Sequence, residues 1–387
     1  MKNFSLFMQN KSADTPERWC GISLKIRNIF FRIYPAFQRH ATHFFFRKIF
    51  LSYSRNRLVL FIAATFVLLH ASFVAAESEF GLRPEIRNFV TYMANRHGYD
   101  SKELESVFTQ TNFRADIIKL ISTPASAISW DEYRKRFVNT QRIKGGIGFW
   151  GKYASELERA RKIYGVPEEI IVAIIGIETS YGTATGNYRI MDALTTLAFD
   201  YPRRADYFRE ELENYLLLAK EQKFGLLDIK GSYAGAIGIP QFMPGSYRRY
   251  AVDFNNDGKI DLSGSSADAI GSVGRYLKEY GWEADKPIAV RAQARSENLQ
   301  EFLDTGIEPI YAIGKLREAG IIPLEPVANN MPSALLELNS QGARQFWLGF
   351  RNFYVITRYN RSTFYAMSVF DLAKAIRIAR LSRAAGQ

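Results

Sequence analysis

The feature that most constrains this chain is an apolar run that ends in one acid, Ile170-Ile171-Val172-Ala173-Ile174-Ile175-Gly176-Ile177-Glu178-Thr179. Read as a helix, it places Ile171, Ile174, Ile175 and Glu178 on one face, at i, i+3, i+4 and i+7. The carboxyl at the end of such a stripe loses water, which disfavours its charged form and raises its pKa. A carboxyl kept protonated near neutral pH is what a general acid needs to break a glycosidic bond. The plain alternative is a Glu that emerges at the helix end and is solvated or caps a turn.

The chain has 387 residues, enough for two or three domains with a substantial core. Apolar residues at 47% and charged residues at 23% belong to a folded globular protein. The net charge of +12 is uneven: residues 1–57 hold eleven Lys/Arg against Asp14 and Glu17, which leaves +3 for everything after them. A body so mildly basic argues against nucleic acid as partner and is compatible with an acidic polymer such as a cell-wall glycan. Cys20 is the sole cysteine, so no intrachain disulfide or Cys-based metal site can form. The four histidines (His40, His43, His70, His97) lie outside the motif-rich region, which argues against a His-ligated zinc hydrolase.

Arg55-Asn56-Arg57 precedes residues 58–76, from Leu58 to Ala76, an apolar stretch whose one strongly polar member is His70 and which ends Val74-Ala75-Ala76. A basic flank, an apolar segment and small residues at −3 and −1 predict an export signal cleaved after Ala76. The length also suits an uncleaved membrane anchor with its basic side in the cytoplasm. Either outcome puts residues from Glu77 onward outside the cytoplasmic membrane, in the periplasm. Residues 25–50 interleave Phe and Tyr with Arg and Lys, as a membrane-surface segment does; an over-extended start assignment is the duller account of the first 57 residues.

Beyond residue 76 the pattern is mostly α (α+β). Four parts are expected: a helical N-terminal domain over 77–164, a core over 165–285, a small α+β domain over 286–350, and a C-terminal segment over 351–387 that returns to the core and the helical domain. Asp100-Ser101-Lys102-Glu103 offers a capped helix start. Gly145-Gly146-Ile147-Gly148 reads as a break or loop, and Pro167 suits the first turn of the Glu178 helix. Helices follow over 191–199, 204–222 and 267–280, and another over 362–380 ends the chain. Residues 288–292 and 334–338 read as short strands.

The most specific local signal is Asp253-Phe254-Asn255-Asn256-Asp257-Gly258-Lys259-Ile260-Asp261. Oxygen side chains at loop positions 1, 3 and 5, Gly at 6, an apolar residue at 8 and Asp at 9 match the start of an EF-hand calcium loop. Position 12, ordinarily Glu, is Gly264; Asp268 could supply that carboxylate through a longer loop. An Asx-rich turn capping the next helix is the alternative. One such site suits a structural clamp better than a sensor.

Residues 231–244 are rich in glycine without a phosphate-loop pattern. Ser232 and Gln241 there can exchange hydrogen bonds with sugar hydroxyl and acetamido groups, or the loop can simply pack tightly. Residues 351–358 are aromatic and β-branched; with Tyr359, Asn360 and Tyr365 they offer sugar-stacking rings beside amides, or else a strand of core aromatics.

In this order the segments closely resemble the membrane-bound lytic transglycosylase B family of murein-degrading enzymes, glycoside hydrolase family 103. The resemblance rests on residues 174–179, 231–246, 250–253 running into the calcium loop, Asp268-Ala269-Ile270-Gly271-Ser272-Val273, and Ile356-Thr357-Arg358-Tyr359-Asn360, and spans about 80–385. It implies a lysozyme-like helical core with an EF-hand-like calcium loop, flanked by a helical N-terminal domain and a small α+β domain. The implied activity is non-hydrolytic cleavage of the MurNAc–GlcNAc β-1,4 bond of peptidoglycan glycan strands, leaving 1,6-anhydro-MurNAc ends. Glu178 then resembles the family's single acid/base, and Ser232, Gln241, Tyr276, Tyr359, Asn360 and Tyr365 its substrate-binding residues. Asp253, Asn255, Asp257, the Lys259 carbonyl and Asp268 correspond to its calcium ligands, although the stretch between Asp261 and Asp268 is one residue longer than the family pattern. No Leu-x-x-Cys lipobox adjoins the export segment, so no lipid anchor is expected. A lysozyme-type muramidase using water, a non-catalytic peptidoglycan-binding protein and a calcium-sensing module are the competing readings.

Overall fold

Helices dominate because the early segments alternate apolar and charged residues with helical period. They are α1 (Pro84–His97), α2 (Ser101–Thr109), α3 (Ala115–Ser122), α4 (Trp130–Phe137), α5 (Thr140–Lys152) and α6 (Ala154–Tyr164). The computed structural model describes residues 80–385 apart from 82, 124–127 and 296–297; the segment read as export signal or anchor lies outside the described residues. Asp100 caps α2 as its sequence predicts, accepting from the Glu103 N–H at 2.8 Å. Ser129 and Glu132 close a capping box on α4.

The apolar run forms α7 (Glu168–Thr179), one residue after Pro167. It is not a one-sided stripe: every residue from Glu169 to Thr179 is buried, Val172 and Ala173 as fully as Ile171 and Ile174. A helix apolar all round belongs in the centre of a core rather than on its surface. The glycines at 145, 146 and 148, expected as a break, lie inside α5. The reason is proximity: a Cβ on Gly145 would sit 2.7 Å from the Tyr181 ring, and one on Gly146 2.4 Å from Ile376. Glycine here costs helix propensity but lets α5 approach the core closely.

After α7 come β1 (Tyr188–Arg189), α8 (Ile190–Asp200), α9 (Ala205–Gln222) and β2 (Lys230–Gly231), which pairs antiparallel with β1. Then follow α10 (Pro244–Tyr250) and α11 (Ser266–Glu279). The α+β part contains β3 (Ala289–Ala294), α12 (Leu299–Asp304), β4 (Tyr311–Ala312), α13 (Ile313–Glu318), β5 (Ile321–Pro323), β6 (Pro332–Ser340) and β7 (Ala343–Gly349). Its sheet is antiparallel, in the order β4-β6-β7-β3-β5, over a core that includes Val290, Phe302, Leu316, Leu335 and Leu348. Gln341 and Gly342 both take positive φ, as a two-residue hairpin turn requires.

Residues 351–358, for which a strand was one reading, fold as helix α14 (Arg351–Tyr359). Phe353, Ile356 and Tyr359 recur on its buried side with helical spacing, so packing overrides strand propensity. The last helix, α15 (Thr363–Ala385), packs against α4, α5, α7 and α14. α7 is thereby enclosed by α5, α6, α11 and α15. Among the described residues no helix is long and apolar enough to cross a membrane.

Candidate active site

Glu178 sits in the last turn of α7 with only 8% of its surface exposed. The Tyr365 hydroxyl, from α15, donates to its Oε1 at 2.6 Å. Burial pushes the Glu178 carboxyl up to about 8, against the opposing pull of that hydrogen bond and of the Arg142 charge. Arg142 reaches across from α5 to donate to the Gly176 carbonyl. Its own carbonyl accepts the Tyr181 hydroxyl at 2.6 Å, and burial lowers its guanidinium pKa. Burial therefore favours the neutral acid, and the nearby Arg142 cation would steady it once ionised.

The glycine-rich loop is tied directly to the acid's helix. Thr179 donates through Oγ1 to the Ile239 carbonyl at 2.8 Å and accepts the Gly182 N–H at 3.0 Å. Tyr359 donates to the Pro240 carbonyl at 2.6 Å. Gly238 takes φ +73, and a Cβ there would lie 2.3 Å from the Leu262 carbonyl oxygen, so only glycine lets the loop rest on its neighbour. Ser232, at the start of the loop, accepts the Ala236 N–H at 3.0 Å. Gln241 is held in the left-handed region, φ +53, with Nε2 donating to Thr185 and Gly238 carbonyls at 3.0 and 2.7 Å. Its Oε1 is buried without a partner, an acceptor fixed in place and unfilled.

Aromatic rings complete the wall. Tyr359 and Tyr365 stack with centroids 6.4 Å apart, and Tyr276 lies 4.8 Å from Tyr359 while donating to the Arg358 carbonyl at 2.7 Å. Asn360 is buried directly after Tyr359. Glu178, the loop carrying Gln241, Tyr276, Tyr359, Asn360 and Tyr365 thus come together, while Ser232 staples the base of the loop. Two neighbours escaped the sequence reading. Tyr133, in α4, packs on Phe364 and is near enough for the Glu178 charge to raise its phenol pKa, although burial raises it more. Arg142 is the other. Nothing in their local sequence distinguishes them from other amphipathic-helix residues; only the packing of α4 and α5 against α7 and α15 does.

The acidic loop is built from its own side chains. Asp253 accepts the Asp257 and Gly258 N–H groups at 3.1 and 2.8 Å, and Asn255 Nδ2 donates to Asp257 Oδ2 at 2.9 Å. Lys259 projects to solvent while its N–H donates to Asp257 Oδ1 at 2.9 Å. Asp268 is fully buried: Oδ1 accepts the Phe254 and Asn255 N–H groups at 2.8 and 3.3 Å, and Oδ2 accepts that of Asp261 at 2.8 Å. Among the described residues no three His, Cys, Asp or Glu side chains gather as a cluster; the convergent set is two carboxylates and an amide. An all-oxygen set of this kind fits a hard cation such as calcium, with Asp268 closing the loop from inside.

Residues 81–374 match the transglycosylase SLT domain. The chain belongs to that family. The membrane-bound lytic murein transglycosylase B of Escherichia coli (strain K12) is 42% identical over 313 residues, 78% of this chain and 85% of the relative. The catenated lytic transglycosylase SltB1 of Pseudomonas aeruginosa superposes with a TM-score of 0.74 at 45% identity, covering 77% of this chain and 98% of that one. The Escherichia coli lytic transglycosylase Slt35, solved in complex with calcium, superposes with a TM-score of 0.70 at 42% identity, covering 77% and 94%. As a lytic transglycosylase the chain is an enzyme acting on peptidoglycan. The expected fold class, mostly α with a lysozyme-like core and a small mixed part, holds.

Proposed function

We propose that the chain cleaves the MurNAc–GlcNAc β-1,4 bond without water, with Glu178 as single acid and base, and leaves a 1,6-anhydro-MurNAc end. One observation carries this reading: Glu178 is buried beside Tyr365 and Arg142, and burial rather than a neighbouring carboxylate is what raises its pKa. Hydrolytic glycosidases ordinarily place a second carboxyl about 5–9.5 Å away to attack or to activate water. Here Glu178 gives its proton to the bridging oxygen as the C1–O4 bond breaks, and the sugar's 2-acetamido oxygen stabilises the charge at C1. The 6-hydroxyl of the same sugar then attacks C1, and its proton returns to the Glu178 carboxylate. Tethering makes this internal attack faster than attack by water, an advantage of up to roughly 7–11 kcal/mol in well-oriented cases.

Ser232 and Gln241 accept and donate to sugar groups in this scheme, with the unfilled Gln241 Oε1 the best-placed acceptor. Tyr276, Tyr359, Asn360 and Tyr365 line the strand's path. Asp253, Asn255, Asp257 and the Lys259 carbonyl would hold a calcium ion, and Asp268, whose oxygens already accept three N–H groups, would complete the site through its remaining lone pair. That ion would neutralise the loop's charge and stiffen it, and the one hydrogen bond from the Ile239 N–H to the Leu262 carbonyl, at 2.7 Å, would carry the stiffness to the glycine-rich loop. A peptidoglycan substrate supports a periplasmic enzyme, exported by residues 58–76 and either released or held at the membrane there. Mass spectrometry of muropeptides released from sacculi tests the chemistry. Ends lighter by one water than reducing MurNAc are expected; reducing ends alone would make the enzyme a muramidase.

A further inference from the structure

The tyrosines beside Glu178 do not stop at Tyr276. Tyr280, which caps the C-terminus of α11, has its ring centroid 4.6 Å from that of Tyr276, and Tyr250, the last residue of α10, lies 5.0 Å from Tyr276 and 5.6 Å from Tyr280. The row therefore steps from Tyr365 through Tyr359 and Tyr276 to the Tyr250–Tyr280 pair. Exposure changes along it: Tyr365, Tyr359, Tyr276 and Tyr250 are buried, whereas Tyr280 is only half-buried. At this outer end the exposed Arg249 guanidinium lies over Tyr250, 5.7 Å from its centroid.

The outer pair is held rigidly. Arg351 donates to the Tyr280 and Gly281 carbonyls at 3.0 and 3.4 Å, and the Tyr280 hydroxyl lies in contact with those of Tyr250 and Tyr276. Tyr280 keeps part of its ring in water on a fixed backbone, where the edge-bound hydroxyls and a guanidinium offer hydrogen bonds. That combination suits a pyranose, which stacks its apolar face on a ring and presents hydroxyls at its rim.

We infer that Tyr280, backed by Tyr250 and Arg249, is a distal sugar-binding station that grips the same glycan strand away from the bond being cut. The inference rests on the proposed reading of the cleft and extends it to strand length: the enzyme favours long glycans over short ones. The stacking partner is the ring and not the phenol hydroxyl, so size and planarity at position 280 decide the grip.

The test compares kcat/KM of the full chain on long glycan strands and on the shortest oligosaccharide it cleaves. Tyr280→Ala is expected to lower the long-to-short ratio about tenfold, the scale of one lost ring contact. Tyr280→Trp is expected to restore the ratio to within about threefold of the parent. An unchanged ratio with Tyr280→Ala, whether both rates hold or both fall together, overturns the station, as does a Trp variant no better than Ala. If the parent enzyme cleaves neither substrate, the proposed function fails separately. Calorimetric binding of the long glycan to Glu178→Gln protein, with and without Tyr280→Ala, then still decides: a tenfold weakening supports the station and none refutes it.

Discussion

Two buried carboxyls in this molecule have been given opposite surroundings. Glu178 ends an apolar helix, meets one hydroxyl donor, and is pushed up to about 8 by burial. Asp268 begins a helix, is wholly buried, and accepts three backbone N–H groups from the loop that wraps it. A carboxylate satisfied on both oxygens is a structural staple; one deprived of donors is left ready to hold and release a proton. The number of donors, more than depth, separates these two carboxyls.

The sharpest way to break the contrast is at the reactive end. Glu178→Gln is expected to reduce muropeptide release by at least about 10²–10⁴-fold while leaving the fold intact; near-parental release would remove the acid from the mechanism. At the structural end, Asp268→Ala strands three N–H donors and is expected to cost about 3–5 kcal/mol in urea unfolding. Should that variant prove as stable as the parent, the staple is not one. Calcium at a hundredfold excess over its Kd is expected to add about 2.7 kcal/mol of stability, and Asp257→Ala to abolish the gain.

The pH dependence sharpens the comparison from the other side. The folded-state pKa of Glu178 lies above its ordinary value of 4.5, so the folded protein binds the proton more tightly than the unfolded chain. The stability tied to this group is full below pH 4.5 and is lost as pH rises through about 8. Thermal melts across that window should show Glu178→Gln gaining a few degrees on the parent towards the alkaline end. Cleavage, which needs the protonated acid, should decline with rising pH along a limb near 8. The smallest effect is that of Tyr365→Phe: it deletes a donor to the carboxylate, raises the acid's pKa further, and moves that limb up by about one unit or less.

How much of this was legible from residues alone depended on whether the information was local. The Asp100 cap and the helix that ends in Glu178 are short-range patterns and form as expected, although that helix is buried on every side rather than along one stripe. The glycines of α5 misled because their cause is the Tyr181 ring and Ile376, far away in sequence. The aromatic stretch before Asn360 was open between strand and other structure because its residues suit a sheet; only contact with the core makes it helical. The donor set around Asp268, and the approach of Tyr133 and Arg142 to Glu178, arise from how separate helices meet. No spacing rule encodes that.

The partner that touches the acid stands 187 positions downstream of it, with the whole mixed sheet lying between. During synthesis or export, then, every chain passes through a long interval in which Glu178 exists but its Tyr365 and Tyr359 walls do not. A polypeptide ended before Thr363 would carry Glu178 without the hydroxyl that meets it.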